Sequence, residues 1–300
     1  MNKALIYGIL SSIFFAATFV LNSSMNLSGG NWMWSAALRY LFMFVILFVI
    51  LWRQKRVKRI FSIIKENPLQ WFLWSTIGFG LFYLPLTFAS NFGESWLVAG
   101  CWQLTIIAGI LLTPLFGKPI PRKSLMLSGI IVIGVGFIQL EHATTIGPKQ
   151  LLLSILPIVI AAFSYPLGNR KMMLLCGGKI STLERVFGMT LCSLPFWFIV
   201  SAIAYSNSGL PSNSQFIQSL IVAVFSGVIA TILFFQATEL VKHHPGQLAL
   251  VEATQAGEVI FSIIGEVFLL GGSLPGTMGL IGLILIISGM MIGSFVGQKA

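Results

Sequence analysis

Long runs of apolar residues follow one another along nearly the whole chain. A helix needs about 20 such residues to cross a hydrocarbon core about 30 Å thick, and ten segments meet or approach that length. In order, the predicted spans are residues 4–24, 32–52, 70–90, 94–116, 124–140, 150–168, 183–205, 215–238, 246–270 and 275–296. The pattern predicts an all-α membrane protein with ten transmembrane helices, in which Gly134, Gly136 and Pro157 interrupt the short fifth and sixth spans.

The ninth predicted span is apolar enough to cross a bilayer and yet carries three glutamates. At about 100° per residue its polar side chains share one arc of roughly 120°. They are Glu252, Gln255, Glu258, Ser262 and Glu266. A charged side chain at the centre of a membrane helix costs roughly 2.5–3.5 kcal/mol, and such residues usually face a cavity or a partner. The spacing therefore predicts a polar stripe that the other helices surround.

Composition supports the membrane assignment and narrows the chemistry. The chain is 56% hydrophobic and only 9% charged, with a mean hydropathy of +0.93, whereas a soluble domain has about 25% charged residues. All eight acidic residues are glutamates, and the three cysteines lack metal-ligand spacing. No GxSxG, Walker A, HExxH or CxxC motif occurs, so we predict neither an enzyme nor a bound cofactor or metal. Uphill transport would then draw on an ion gradient.

The positive charges lie almost entirely on one side of the predicted membrane. If the N-terminus is cytoplasmic, fifteen of the 18 Lys and Arg residues fall in inner segments, Lys149 falls outside, and Arg39 and Arg185 lie at or within spans. The positive-inside rule then predicts ten crossings with both termini in the cytoplasm. Because topology accounts for the basic residues, we predict no nucleic-acid role.

The two halves of the chain resemble each other. Ser35, Arg39 and Met43 recur 146 residues later as Ser181, Arg185 and Met189. The fourth span around Gln103 also matches the ninth around Gln255. Five spans in each half would place the second half upside down, the inverted-repeat plan of many secondary transporters. We therefore predict two five-helix repeats, residues 1–145 and 146–300.

Glu258 is the first candidate for function, because it lies about twelve residues from either end of the ninth span and hence near the midplane. A carboxyl group there can hold a proton or a cation but is hardly left bare, which is the basis for exchanging one for the other. Glu252 and Glu266 are candidate inner and outer way stations. Each glutamate can instead be structural, paired with Arg39, Arg185 or a hydroxyl.

Other polar and aromatic residues fall at mid-depth on predicted helices. The candidates for a cavity lining are Phe15 and Asn22 in the first span, Tyr83 in the third, and Trp102 and Gln103 in the fourth. Ring faces attract cations, so the set fits flat or cationic ligands. Helix packing alone also explains any single member.

Arg39 sits about seven residues inside the second span. It can snorkel outward, pair with a carboxylate such as Glu94 or Glu266, or bind an anionic substrate. We expect the ion pair, because an unpaired charge in a membrane is costly.

Two segments resemble a known family: SWLVAGCWQLTIIAGILLTPLFGKPIP from Ser95 and PGQLALVEATQAGEVIFSIIGEVFLLGGSLP from Pro245. With the ten spans and the repeated arginine, the chain resembles the drug/metabolite transporter superfamily, in its ten-span group of multidrug resistance efflux transporters. The resemblance implies export across the bacterial plasma (inner) membrane by alternating access, in exchange for protons. The chain departs from the four-span relatives in that superfamily, whose first span carries an acidic residue. Here that span offers Ser11, Phe15, Thr18 and Asn22.

We therefore expect a secondary transporter that exports small organic solutes, cationic or lipophilic, in exchange for protons. An alternative is facilitated or exchange transport of neutral or zwitterionic metabolites such as amino acids. A third possibility, from another class, is a membrane scaffold or lipid-handling subunit. The expected partners are the solute, protons and the lipid bilayer, and the chain is expected to act as a monomer or homodimer.

Overall fold

The computed structural model describes residues 2–117, 119–120, 122–144, 147–241, 247, 251 and 254–297, with the side chains of Ser124 and residues 293–297 left aside. The described residues form helices and no strand. In chain order the α-helices are α1 (Asn2–Leu27), α2 (Trp32–Arg53), α3 (Val57–Glu66), α4 (Pro68–Ser75), α5 (Leu81–Ala89), α6 (Ser95–Trp102), α7 (Leu104–Leu111), α8 (Arg122–Ala143), α9 (Pro148–Cys176), α10 (Thr182–Ser208), α11 (Asn213–Val222), α12 (Thr231–Val241), α13 (Ala256–Leu270) and α14 (Thr277–Gly297).

Seven continuous helical segments are long and apolar enough to cross a membrane, and two shorter apolar segments, Ser95–Leu111 and Thr277–Ile292, accompany them. Helices occur in all ten predicted spans, although most of the first half of the ninth lies outside the described residues. The all-helical membrane class is thus confirmed, whereas the number of crossings stays a prediction.

The predicted interruptions are in the wrong helices. Gly134, Gly136 and Pro157 lie inside α8 and α9, which run unbroken. The irregular turns are instead the π-helical segments Thr76–Gly80 and Ala223–Ala230, together with a break at Gln103. A glycine leaves the backbone hydrogen bonds of a helix intact, and one proline removes only one of them, so neither residue type has to end a membrane helix.

Local chemistry explains where several helices begin and end. Ser181 and Glu184 form a capping box at the start of α10, in which the Ser181 hydroxyl accepts from the Glu184 amide and the Glu184 carboxylate accepts from the Ser181 amide. Asn31 caps α2 more simply, since its side-chain oxygen accepts from the Met33 amide at 2.8 Å. At the other end of α9, Gly177 takes a left-handed conformation that a glycine adopts without strain.

Helix contacts follow a mirrored scheme. Helix α2 packs on α10, and α8 packs on α14. Helix α5 packs on α9 as α12 packs on α1, while α4 packs on α10 as α11 packs on α2. Glycines allow the α8–α14 approach, since a methyl group on either Gly134 or Gly282 would stand 2.6 Å from the carbonyl oxygen of the other.

Helix α1 and helix α13 are held together by small residues. A methyl group on Gly8 would clash with Thr254, one on Gly257 with Ser12, and one on Gly265 with Val20. This close contact runs along both helices and places Gln255, one turn before Glu258, against α1.

Ion pairs tie together the ends of helices from both halves of the chain. Arg59 on α3 lies 3.7 Å from the Glu184 carboxylate on α10, and Lys179 lies 3.5 Å from Glu66. Helix α3 itself is amphipathic and buries Ile60. The basic segment 53–65 thus lies at the same end of the bundle as the start of α10.

Candidate functional site

A buried polar cluster surrounds Arg39. Its Nη1 donates to the Thr18 hydroxyl at 3.3 Å, and its guanidinium carbon lies 4.0 Å from the centre of the Tyr83 ring. The Asn22 amide donates to the Tyr83 hydroxyl at 3.2 Å. Thr18 in turn donates to the Ser226 hydroxyl on the second π-helical segment. Helices α1, α2 and α5 therefore meet through hydrogen bonds around one arginine.

The expected ion pair of Arg39 with Glu94 or Glu266 is wrong. The salt bridges among the described residues do not involve Arg39. Glu266 instead accepts from the Ser95 amide at 3.0 Å, and Glu94 accepts from the Trp96 indole. Arg39 does not snorkel either, because it is only 3% exposed. The Tyr83 ring face and the Thr18 hydroxyl contact the cation in place of a carboxylate.

Glu258 lies in the first turn of α13 and is 3% exposed. Its backbone amide donates to the Gln255 carbonyl at 2.9 Å. Within the described part of the chain, no hydrogen bond or ion pair involves its carboxylate. It lies in electrostatic range of Tyr165 on α9. Burial of a bare carboxylate is costly, and a bound proton or cationic group would remove that cost.

The other polar residues of the ninth predicted span make different contacts. Gln255 donates to the Ser11 hydroxyl at 3.2 Å, which fastens the start of α13 to α1. Glu252 lies outside the described residues. Glu266 is 3% exposed, and its hydrogen bond to Ser95 caps the start of α6. One helix face therefore carries both structural and unpaired polar groups.

An aromatic cluster lies beside the Arg39 cluster. The Trp102, Phe82 and Tyr165 rings contact one another at centroid distances of 4.8–5.7 Å. Phe82 also contacts Tyr83 at 5.8 Å, which connects the two clusters. The structure thus brings together four of the predicted site residues: the lining candidates Asn22, Tyr83 and Trp102, and Arg39.

Two predicted lining residues have other contacts. Gln103 is fully buried and donates to the Ala99 carbonyl in the preceding turn, in α6, at 3.1 Å. Its side-chain oxygen has no hydrogen-bond partner among the described residues. Phe15 packs its ring edge against Phe234 at 6.1 Å. Neither contact joins the Arg39 cluster.

A cavity of about 780 Å³ lies where α1 ends and α6 begins, and we call it the vestibule. Its lining includes Glu94, Glu141, His142 and Glu266. Glu141 accepts from the Gly276 amide at 2.9 Å and the Gly279 amide at 2.7 Å, so it caps the start of α14. Glu266, predicted as an outer way station, thus lies in the vestibule wall.

The position of Glu94 in the vestibule predicts how the stability of a Glu94 variant depends on pH. Desolvation, and then the charges of Glu266 and Glu141, raise the pKa of Glu94, whereas the hydrogen bond from Trp96 lowers it. A raised folded-state pKa means that ionisation destabilises the fold above that pKa, and the penalty vanishes as the pH falls through it. We expect Glu94→Gln to raise the melting temperature by about 1–3 °C at pH 8, with the gap closing toward about pH 4.3. Thermal unfolding of purified protein across pH measures this, and an equal gap at every pH would contradict it.

Several residues of the site were not singled out from the sequence. Tyr40 stacks on Trp197 at 4.5 Å and contacts Tyr83, while Ser226 ends the hydrogen-bond chain from Arg39. Tyr165 follows no helical polar stripe, but a tyrosine inside a predicted span is itself a signal, because a buried hydroxyl needs a partner. For Ser226, the sequence contains no comparable signal, because a serine is common in membrane helices.

The apolar helices with a buried polar interior define a multi-pass membrane protein. The family profile described as "Putative multidrug resistance efflux transporter" (EmrE) matches residues 2–299. The chain therefore belongs to this family of the drug/metabolite transporter superfamily and is a membrane transporter, as the resemblance implied.

The chain is also similar to two bacterial proteins and to a solved structure. The chain is 50% identical to "Uncharacterized protein YjlA" of Bacillus subtilis, covering 99% of this chain and 95% of that protein. It is 48% identical to the "Uncharacterized 42.1 kDa protein in intracellular alkaline protease 3'region" of Shouchella clausii, over 85% of this chain and 70% of that protein. A crystal structure superposes with a TM-score of 0.68 at 14% identity, covering 100% of this chain and 99% of that chain, and shares the fold.

Proposed function

We propose that the protein is a secondary transporter that exports small organic solutes by alternating access, with Glu258 holding a proton or the solute in turn. One observation carries the proposal: Glu258 is 3% exposed and its carboxylate has no hydrogen-bond or ion-pair partner in the described part of the chain. A purely structural glutamate inside a membrane bundle persists because it is paired. The proposal assigns transport and no catalysis.

The mirrored helix contacts support two inverted repeats, residues 1–145 and 146–300. Equivalent side chains also play equivalent parts. Met189 on α10 packs on Gly78 in the first π-helical segment, and Met43 on α2 packs on Gly227 in the second. Rocking of one repeat against the other is the usual basis of alternating access.

The predicted orientation supports the direction of transport. With ten crossings and cytoplasmic termini, the basic segment 53–65 and the Arg59–Glu184 pair lie at the cytoplasmic end. The vestibule then opens to the outside, where an exported solute leaves.

Proteoliposomes test the proposal. Wild-type protein should drive uptake of a labelled lipophilic amine into vesicles with an acidic lumen, and a pH dye should report protons leaving as the amine enters. A hydrophobic carbodiimide should label Glu258, and the amine should slow that labelling. Labelling that the transported amine does not slow would contradict a site at Glu258.

A second candidate function is facilitated or exchange transport of neutral or zwitterionic solutes without proton movement. Arg39 and Arg185 favour it, because they are buried and form no salt bridge with a carboxylate of the described residues, and a solute carrying an anionic group would pair with them. The dye separates the candidates: flux without a pH change supports the second.

A further inference from the structure

Arg39 and Arg185 occupy equivalent positions in the two halves of the chain and share an unusual environment. They are 3% and 7% exposed, respectively. The guanidinium of Arg39 lies 4.0 Å from the Tyr83 ring centre, and that of Arg185 lies 4.8 Å from the Phe235 ring centre. In both, the Nε atom is buried without a hydrogen-bond partner among the described residues.

Most of the hydrogen-bonding capacity of these side chains is unused. A guanidinium carries five N–H donors, and Arg39 uses one of them on Thr18. No hydrogen bond from the Arg185 side chain is found within the described part of the chain. Glu239 lies in electrostatic range of Arg185, but no salt bridge joins the two. A buried cation without an ionic partner is costly, so its retention points to a partner that comes and goes.

The free donors indicate what that partner is. The guanidinium carbons lie over ring faces, at 4.0 and 4.8 Å from the ring centres, and attraction to a ring face uses none of the N–H groups at the edge of the guanidinium. That edge matches the two oxygens of a carboxylate, which it binds with a pair of parallel hydrogen bonds. An ammonium or a neutral ring has no such match.

The two arginines also share a neighbour with Glu258. Tyr165 lies in electrostatic range of Arg39, Arg185 and Glu258. With Glu258 ionised, this group of three charges has a net charge of +1. A lipophilic cation without an anionic group would meet two guanidinium groups there and only one carboxylate.

The arginines lie toward opposite ends of the bundle. The Trp34 indole near the start of α2 donates to the Gly209 carbonyl just after α10 at 2.8 Å, so the two helices run antiparallel. Each arginine lies in the first half of its helix. A solute that crosses the membrane would therefore pass one arginine on entry and the other on exit.

We propose that Arg39 and Arg185 form a two-part carboxylate subsite, and that the transported solute is a small zwitterion whose amine meets Glu258. The inference rests on the proposed transport function and narrows its substrate class. Each arginine binds the carboxylate when its own side of the protein is open. The aromatic cluster of Phe82, Trp102 and Tyr165 lies beside the path and suits an apolar side chain.

Matched sets of three compounds test the subsite. Each set holds an amino acid, the amine without its carboxylate, and the acid without its amine: phenylalanine, phenethylamine and 3-phenylpropionate; leucine, 3-methylbutylamine and 4-methylpentanoate; and tryptophan, tryptamine and indole-3-propionate. A ligand that binds the folded protein raises its melting temperature. In at least one set, the amino acid should stabilise purified full-length protein more than either of its relatives does.

Variants then assign the preference to the arginines. Arg39→Gln and Arg185→Gln should each lower the shift caused by the amino acid, and the double variant should lower it to that caused by the amine. Arg39→Lys and Arg185→Lys keep the charge without the paired hydrogen bonds, and should lose about half of the shift. If a glutamine variant does not fold, the lysine variant carries the test. Arg53→Gln, at the exposed end of α2, should change nothing.

The outcomes separate the subsite from the proposed function. If the amine binds best in every set, or if no set stabilises the protein, the carboxylate subsite is wrong, and amine uptake driven by a pH gradient still decides the transport proposal. If the amino acid binds through the arginines but its flux moves no protons, the subsite stands and proton exchange at Glu258 is wrong.

Discussion

Glu258→Gln should abolish the response of transport to a pH gradient while exchange of solute for solute continues. Glutamine has the size of a protonated glutamate but cannot release a proton, so the site is fixed in one charge state. In proteoliposomes, gradient-driven uptake should fall at least about tenfold, which corresponds to 1.4 kcal/mol. Solute exchange at symmetrical pH should stay measurable, since it needs no change of protonation.

Glu66→Gln is the matched control for this variant. Glu66 is an exposed glutamate at the end of α3, paired with Lys179, and the same substitution there removes a carboxylate away from Glu258. Its gradient-driven uptake should equal that of wild type. Undiminished gradient-driven uptake by Glu258→Gln would exclude Glu258 as the coupling group and would direct attention to Glu252, the remaining acid of the predicted stripe without a structural description.

The sequence predicted the helices because each apolar run is long enough to specify a helix by itself. It misplaced the irregular turns, since a π-helical turn such as Thr76–Gly80 arises from contacts with other helices. Gly78 in this turn lies against Gly168 of α9 and Met189 of α10. The spacing of residues within a single helix carries no information on such contacts.

The candidate site was predicted residue by residue but not as an arrangement. Asn22, Arg39 and Tyr83 were each singled out on separate helices, and the structure joins them directly. The predicted partners of Arg39, Glu94 and Glu266, were wrong. An argument from charge alone favours a carboxylate, whereas the neighbouring helices place Thr18 and the Tyr83 ring beside Arg39. Helical spacing put Glu258 and Glu266 on one face, yet only the structure shows Glu266 capping α6. The role of Glu258 stays a prediction.

The contact between α1 and α13 gives the last prediction, in which glycine-to-alanine substitutions at two positions have different effects. A methyl group on Gly265 would clash with Val20, a β-branched residue with little rotamer freedom on α1. Gly265→Ala should therefore destabilise the protein by about 1–3 kcal/mol. Gly136 lies in α8 with nothing within 4 Å of an added methyl group. There the same change should be neutral or stabilise by up to about 1 kcal/mol, because alanine favours helix.

Thermal unfolding of both variants in detergent measures the difference. The helix-propensity gain is common to the two sites, so the gap between their melting temperatures reports the contact with Val20. A second substitution, Val20→Ala, should restore much of the loss in Gly265→Ala by removing the atoms that clash, whereas it should destabilise the wild type through the space it leaves. Equal melting temperatures for Gly265→Ala and Gly136→Ala would show that α1 and α13 do not pack as closely as described.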